Sequence, residues 1–94
     1  MIGGLSSTPV TQEHQDLVKA NLASINTQAH THATSFHVDK AWVQVVAGTN
    51  YFFHVTDNEH KKWSVFVEVP LPHTNAPAKV TQVAAGHNAA KNPH

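Results

Sequence analysis

The most informative absences in this 94-residue chain concern cysteine and charge. It contains no cysteine, which excludes disulfides, thiolate metal ligands and a cysteine nucleophile. Charged residues make up only 13% of the chain, and its lysines, unaccompanied by arginine, balance six acidic residues. A chain with a net charge of zero lacks the excess of basic residues by which proteins bind nucleic acid or anionic membranes. We therefore expect neither nucleic acid nor a membrane among its partners.

Long hydrophobic runs are also missing. No apolar stretch approaches the roughly 20 residues of a membrane span. The opening residues, Met-Ile-Gly-Gly-Leu, lack the charged region and the longer apolar region of a secretory signal. The expected location is therefore cytoplasmic. The length allows one small domain, residues 1–94, and no more.

Histidine is the residue type in unusual supply. The nine histidines are His14, His30, His32, His37, His54, His60, His73, His87 and His94. Histidine titrates near neutral pH, so acidification makes the chain strongly cationic. The spacing of His32 and His37 matches half of a zinc-finger pattern, but the cysteine pair that completes it is absent. We expect no metal and no cofactor, and keep a metal- or pH-responsive histidine module as an alternative.

The hydrophobic periodicity predicts one helix near the start of the chain. Thr11 is a favourable N-cap, and an apolar stripe follows it at helical spacing. The predicted helix runs from about Thr11 to Ile25. Residues 1–10, with two glycines and a proline, are interpreted as a flexible arm.

Beyond residue 35 the apolar residues alternate with period two, which is typical of strands. The first predicted strand runs from Phe36 to Ala47–Gly48, with a bulge or kink between Val38 and Ala41. Residues 49–55 and 63–69 form the next two, residues around 80–83 a short last one, and 85–94 a loose tail. The turns are too short for crossover helices, so the strands form an antiparallel meander with the helix on its apolar face. The fold class is α+β.

Apolar residues also stand where a loop is expected. If Ala47–Gly48 is the tip of a hairpin, Val45, Val46 and Ala47 are exposed at the end of a ribbon. If the turn lies instead at Thr49–Asn50, the same residues belong to a buried strand. The pattern leaves both interpretations open. Leu71, between two prolines, is a second apolar residue in a loop.

Motifs of catalysis are absent from the sequence. It has no Gly-x-Ser-x-Gly elbow, phosphate-binding glycine loop or His-Glu-x-x-His helix. Glu13 and His14 are adjacent on the predicted helix, so their side chains diverge and do not form an acid–base pair. We expect no catalytic residues and no enzyme activity.

Three short segments together resemble a known family. Gln44-Val45-Val46-Ala47-Gly48 matches the Gln-x-Val-x-Gly motif of the cystatin superfamily in its stefin (type 1) spelling, and Thr-Asn-Tyr continues the match. Gly3-Gly4 resembles the family's N-terminal glycine element, and Leu71-Pro72-His73-Thr74-Asn75 its Leu-Pro loop. The order of elements agrees over about residues 1–83. The resemblance implies one helix across a curved four-to-five-stranded antiparallel sheet.

The same resemblance implies a function. Stefins are reversible, tight-binding, non-covalent competitive inhibitors of papain-like cysteine proteases of the cathepsin type. The arm would lie in the non-primed subsites, the first hairpin over the catalytic centre and the second loop on the primed side. The protease-binding residues so implied are Ile2, Gly3, Gly4, Gln44, Val45, Val46, Ala47, Gly48, Leu71, Pro72 and His73. The expected species is a monomer. The alternative is a non-inhibitory scaffold or a domain-swapped dimer, formed by straightening the Val46–Thr49 hairpin.

Overall fold

The helical segment begins where the sequence predicts, directly after Thr11. In the computed structural model, which describes residues 4–87, helix α1 spans Gln12–Ala20. The Thr11 hydroxyl accepts a hydrogen bond from the backbone N–H of His14 at 3.3 Å, and His14 Nδ1 accepts one from the N–H of Thr11 at 3.1 Å. This reciprocal capping box satisfies two backbone donors that the helix start would otherwise leave free.

The helix is longer than predicted and is divided in two. Helix α2 spans Leu22–Ala29, and Asn21 separates it from α1. The side-chain amide of Asn21 donates to the carbonyl of Leu17 at 2.8 Å, which is the local competition with helical hydrogen bonding that asparagine brings. The prediction of one helix ending at Ile25 is therefore wrong in both length and continuity.

Five antiparallel strands follow one another in the order β1-β2-β3-β4-β5. They span Ser6–Thr8 (β1), Phe36–Val46 (β2), Gly48–Asp57 (β3), Lys62–Val69 (β4) and Lys79–Ala85 (β5), with a 3-10 turn at Pro72–Thr74 before β5. β1 lies in the segment predicted to be a flexible arm, and the structure corrects that prediction. Its residue Ser6 pairs with Val43, so the arm is an edge strand of the sheet over this part.

A predicted irregularity in β2 is where the helix contacts the sheet edge. The register with β3 shifts between Val38 and Lys40. The side-chain amide of Gln15, on α1, accepts from the N–H of Val38 at 3.0 Å and donates to its carbonyl at 3.1 Å. Gln15 thus satisfies the backbone N–H and carbonyl of Val38, at a part of β2 that β1 does not reach.

The inner face of the sheet is apolar, whereas the outer face combines aromatic and polar side chains. The inner face packs on the helices and forms a core of Val18, Ile25, Phe36, Val38, Ala41, Phe53, Val55, Trp63, Val65, Val67 and Val80. Each fully buried side chain of this kind contributes about 1.5–3 kcal/mol relative to exposure. On the outer face, the rings of Trp42 and Phe66 contact Phe52 at centroid distances of 5.2 and 4.5 Å. Over residues 4–87, no helix is long and apolar enough to cross a membrane.

The chain after β5 turns back across the outer face. Gly86 has φ +83°, and its carbonyl accepts from the Ser64 hydroxyl at 2.7 Å. The ring of His87 stacks on His54 at 4.4 Å, and its Nε2 lies 2.8 Å from the carbonyl of Val55. Residues 86 and 87 are therefore fixed, whereas a loose tail was predicted there. Residues 88–94 of that predicted tail lie outside the described residues.

Candidate functional site

The hairpin between β2 and β3 has its tip at Ala47. Val46, the last residue of β2, pairs with Gly48, the first of β3. This decides between the two interpretations left open by the sequence, because the turn does not lie at Thr49–Asn50. Val45 is 76% exposed at the end of the ribbon.

Gly48 joins this hairpin to the second loop. Its φ is +118°, a conformation that side-chain-bearing L-residues rarely adopt. A Cβ at this position would lie 2.6 Å from the carbonyl oxygen of Val69 and 3.3 Å from the Cα of Pro70. The backbone of the hairpin thus rests directly on the backbone at the start of the second loop. Only glycine meets both the conformational and the steric requirement.

The second loop is held by its own hydrogen bonds. Pro72–Thr74 form one 3-10 turn, in which the N–H and hydroxyl of Thr74 donate to the carbonyl of Leu71 at 3.1 and 2.7 Å. Asn75 ends the turn in the left-handed conformation, with φ +56°. Proline at the first position of the turn presets its φ. The loop therefore holds Leu71, 41% exposed, in a defined position.

The N-terminal segment reaches the same end of the sheet. β1 runs antiparallel to β2, with Ser6 opposite Val43. Continuing that register by two residues brings Gly4 opposite Val45. No atom lies within 4 Å of the position that a Cβ on Gly4 would occupy, so the backbone there is open to an approaching molecule. Ile2 and Gly3, the other predicted arm residues, lie outside the described residues.

These three segments form what we call the apolar edge, defined by Gly4, residues 44–48 and residues 71–73. Among residues 4–87, its members Val45 and Leu71 are the large hydrophobic side chains that are exposed. Gln44 differs in role: its Oε1 lies 3.4 Å from Nδ2 of Asn50 on the opposite strand. Pro72 and His73 are exposed, and Val46 is half-buried. The predicted residues that the structure describes are thus brought together.

The apolar edge is poor in charged side chains. Residues 44–48 and 71–73 carry no aspartate, glutamate, lysine or arginine, and His73 is their one titratable side chain. Covering exposed apolar side chains with a partner removes them from water, which lowers the free energy. The edge provides shape, backbone groups and apolar contacts for recognition.

The alternative kept for the histidines, a metal- or pH-responsive module, concerns the segment that contains His30 and His32. His30 and His32 line a shallow depression with the turn at Asp57–Glu59 at the opposite end of the sheet. Within residues 4–87, no group of three or more His, Asp or Glu side chains is placed to hold a metal ion.

Asp57 is a structural residue whose role the sequence analysis did not identify. Its Oδ2 accepts from Trp63 Nε1 at 3.0 Å, and its Oδ1 accepts from the N–H groups of Glu59 and Lys61 at 2.8 and 2.9 Å. Burial by itself would raise the pKa of Asp57, but these hydrogen bonds and the charge of Lys61 hold it below its ordinary value. The available signal was an aspartate opening a polar turn, where its carboxylate commonly binds backbone N–H groups.

His14 is a second residue whose role the sequence analysis missed. Its ring is buried against Tyr51 and Phe53, at centroid distances of 5.2 and 5.5 Å. Burial lowers the pKa of His14 from its ordinary value, and the charge of Glu13 opposes that shift in part. The spacing Thr11-x-x-His14 is that of a capping box and was the sequence signal available.

Comparison with known proteins supports the resemblance seen in these segments. A family model described as the cystatin domain matches residues 3–88. Among solved structures, the chain is similar to a secreted type 1 cystatin from Fasciola hepatica, with a TM-score of 0.75 and 26% sequence identity. That match covers 94% of this chain and 100% of the other. No curated protein sequence matches the chain significantly.

The matched structure corrects one prediction. A cytoplasmic location was expected from the opening residues, and it is contradicted because the type 1 cystatin that this chain resembles is described as secreted. The fold class is confirmed, since the helices and the antiparallel sheet match the cystatin fold. The family-model match over most of the chain, together with this structural likeness, shows that the chain belongs to the cystatin family, in its type 1 class, and has the general role of a cysteine protease inhibitor.

Proposed function

We propose that this chain is a reversible, tight-binding competitive inhibitor of papain-like cysteine proteases of the cathepsin type, and that the apolar edge enters the active-site cleft. The observation that carries the proposal is the contact of Gly48 with the start of the second loop. It brings Val45 and Leu71, both exposed, to one end of a rigid sheet.

Two features support tight binding by so small a surface. The exposed parts of Val45 and Leu71 would become buried in the complex, so the free energy of removing them from water contributes to affinity. The hairpin and the second loop are already ordered by strand pairing and by the hydrogen bonds to the carbonyl of Leu71. Little conformational entropy is lost when ordered segments bind.

Inhibition without cleavage follows from the shape of the hairpin. A protease of this kind attacks a peptide that lies extended along its cleft, as bound peptides generally do on sheet edges. Residues 46–48 form a tight turn, and Gly48 is braced by the backbone at Val69. The hairpin therefore blocks the catalytic centre sterically and presents no extended peptide segment for cleavage. The chain itself contributes no catalytic group in this proposal.

The decisive experiment is titration of papain with the purified chain at about pH 6. We expect a stoichiometric loss of activity at low enzyme concentration. Val45→Asp should raise the inhibition constant roughly 30- to 100-fold, because a charge is buried where a valine was and hot-spot residues carry about 2–3 kcal/mol. His37→Asp, at an exposed position of β2 away from the apolar edge, is the matched control and should inhibit as the wild type does.

Light scattering on the same sample establishes which species inhibits. We propose that the monomer is active, because a swapped dimer would straighten the hairpin and remove its tip. Absence of inhibition by a verified monomer would overturn the proposed function, as would equal inhibition by Val45→Asp and His37→Asp.

We also propose that the protein acts outside the cell. The support is its likeness to a type 1 cystatin described as secreted. Immunodetection of the protein in the culture medium of intact cells that produce it tests this. Retention of the whole amount inside those cells would refute it.

A further inference from the structure

His14 is a buried titratable side chain that the apolar edge does not use. It is 6% exposed, and its Nδ1 accepts a hydrogen bond from the backbone N–H of Thr11 at 3.1 Å. An imidazole nitrogen accepts a hydrogen bond only while it is unprotonated, and both nitrogens of the imidazolium are donors. The capping box at the start of α1 therefore depends on a neutral His14.

The surroundings of the ring disfavour a charge. Tyr51 and Phe53 of β3 pack against it, and burial lowers the pKa of His14 from its ordinary value. Glu13, the adjacent residue on the same helix, acts in the opposite direction. From β3 the ring of Tyr51 contacts that of His14, and it brings no carboxylate or ammonium group there.

The charged residues of β2 lie on the other side of the sheet. Asp39 accepts a hydrogen bond from the hydroxyl of Thr56, and Lys40 lies opposite His54 in the register of β2 and β3. Both partners alternate with the inner-face residues of β3 and so belong to the outer face. Neither charge is placed to stabilise an imidazolium at His14.

The position of His14 links it to two parts of the apolar edge. Thr11, whose N–H it holds, ends the segment that contains Gly4 and β1. Tyr51, which its ring contacts, lies on β3 three residues after Gly48. A change at this one side chain is therefore transmitted both to the attachment of the arm and to the strand that leads out of the hairpin.

We propose that His14 is an acid-operated release for the apolar edge: a proton taken from solvent at Nδ1 ends the hydrogen bond from Thr11, loosens the start of α1 and the arm, and weakens the hold on the protease. The inference rests on the proposed function and adds to it a regulation by pH. The expected effect has a definite sign, because the neutral ring is the form compatible with the native contacts.

The sign for the folding equilibrium is the same. The folded state binds a proton at His14 less readily than the unfolded chain, whose histidine titrates near the ordinary value of 6.5. The stability contributed by His14 is therefore fully present above that value and is lost as the pH falls from it toward the lower pKa of the folded state. The free inhibitor should lose stability, and its complex with the protease should lose affinity, over the same acidic range.

The test compares His14→Gln with His37→Gln. Glutamine at position 14 keeps an acceptor for the N–H of Thr11, since Thr-x-x-Gln is a standard capping box, but it cannot be protonated. Inhibition constants for wild type and both variants are measured against one papain preparation at about pH 7.5 and pH 5.0. The pH dependence of the enzyme cancels in the ratio between variants.

We expect the wild-type inhibition constant to rise roughly fivefold more than that of His14→Gln over this range, on the scale of a lost helix cap. His37→Gln, altered at an exposed histidine, should follow the wild type. Equal pH dependence in wild type and His14→Gln would overturn the proposal.

Two measurements without protease keep the inference separate from the proposed function. The first is the NMR titration of the His14 ring with the amide signal of Thr11. The second is the thermal midpoint of wild type and His14→Gln as a function of pH. If no inhibition occurs at any pH, the proposed function fails, and these readouts still decide whether His14 is a proton-sensitive joint. A His14 ring that titrates at or above 6.5 refutes the inference even if His14→Gln does not fold.

Discussion

The two ends of the sheet differ in how they complete their turns. At the β3–β4 turn, the carboxylate of Asp57 is buried and accepts hydrogen bonds from Trp63 and from two backbone N–H groups. Asn58, the next residue, accepts from the N–H of Thr34 in the segment that follows α2. At the other end, the hairpin and the second loop leave Val45 and Leu71 in solvent. One end pairs its polar groups internally, and the other leaves apolar side chains exposed.

The difference separates stability from binding within a chain of 94 residues. A buried carboxylate with several hydrogen bonds costs much to remove, because its donors are left unpaired. A side chain as exposed as that of Val45, at 76%, contributes little to the fold, because it is almost as exposed in the unfolded chain. Substitutions at the two ends should therefore have opposite profiles, and the largest effect on stability is expected at the β3–β4 turn.

Asp57→Ala should destabilise the protein by about 3–5 kcal/mol, because the hydrogen bonds of a buried charged group are lost together. Urea unfolding measures the loss. Asp39→Ala is the control, since Asp39 is exposed and binds the hydroxyl of Thr56; it should cost no more than about 1 kcal/mol. Equal losses for the two variants would contradict the structural role of Asp57. The lowered pKa of Asp57 also predicts that its contribution holds above the ordinary value of 3.8 and is lost as the pH falls through the folded-state pKa.

Gly48→Ala should affect both stability and inhibition, because Gly48 is buried in the hairpin and lies against the start of the second loop. A side chain at φ +118°, with its Cβ 2.6 Å from the carbonyl oxygen of Val69, must displace backbone. We expect about 2–3 kcal/mol of destabilisation from the strained conformation, together with weaker inhibition. Gly4→Ala is the matched control. A Cβ at Gly4 meets no atom within 4 Å, so the unfolding midpoint should be unchanged. Unaltered stability of Gly48→Ala would show that the two loops do not rest on each other.

Leu71→Ser should have the smallest effect of the three substitutions, and should act mainly on inhibition. Because 41% of Leu71 is exposed, we expect its replacement to weaken papain inhibition roughly tenfold, about 1.4 kcal/mol, and the loss of its remaining contacts to lower the thermal midpoint by no more than about 5 °C. Leu22→Ser is the reciprocal variant, because Leu22 packs against the core at the start of α2. It should lower the midpoint and leave the inhibition constant unchanged. The separation of the two ends fails if Leu22→Ser weakens inhibition as much as Leu71→Ser does.

Much of the fold was accessible to sequence reasoning because it rests on local patterns. Thr11 as the helix start, the irregularity after Val38 and the strand that begins near Trp63 were all predicted from neighbouring residues. The break at Asn21 was not, because an asparagine inside a helical pattern is compatible with an unbroken helix until its side chain bonds the carbonyl of Leu17. β1 was missed because the partner that orders it, β2, lies more than thirty residues away.

The candidate site was predicted as a set of residues, through motif resemblance, and not as a geometry. The alternation of apolar residues from Val43 to Val46 is the same whether the turn lies at Ala47 or at Thr49–Asn50. The pairing of Val46 with Gly48 and the support from Val69 decide between them. His14 was noted only as a neighbour of Glu13, and its contacts with Tyr51 and Phe53 depend on the packing of the helix on the sheet.

Composition and hydrophobic period are properties of local chain segments. They were therefore enough to predict a helix followed by strands, to exclude cysteine chemistry and to identify two loops with apolar residues. The contact between these loops at Gly48, the hydrogen bonds of Asp57 at the opposite end and the burial of His14 in the capping box of α1 emerge only from the folded structure. Each of those facts depends on contacts between distant residues, and no local pattern specifies which distant residues a turn or a side chain will touch.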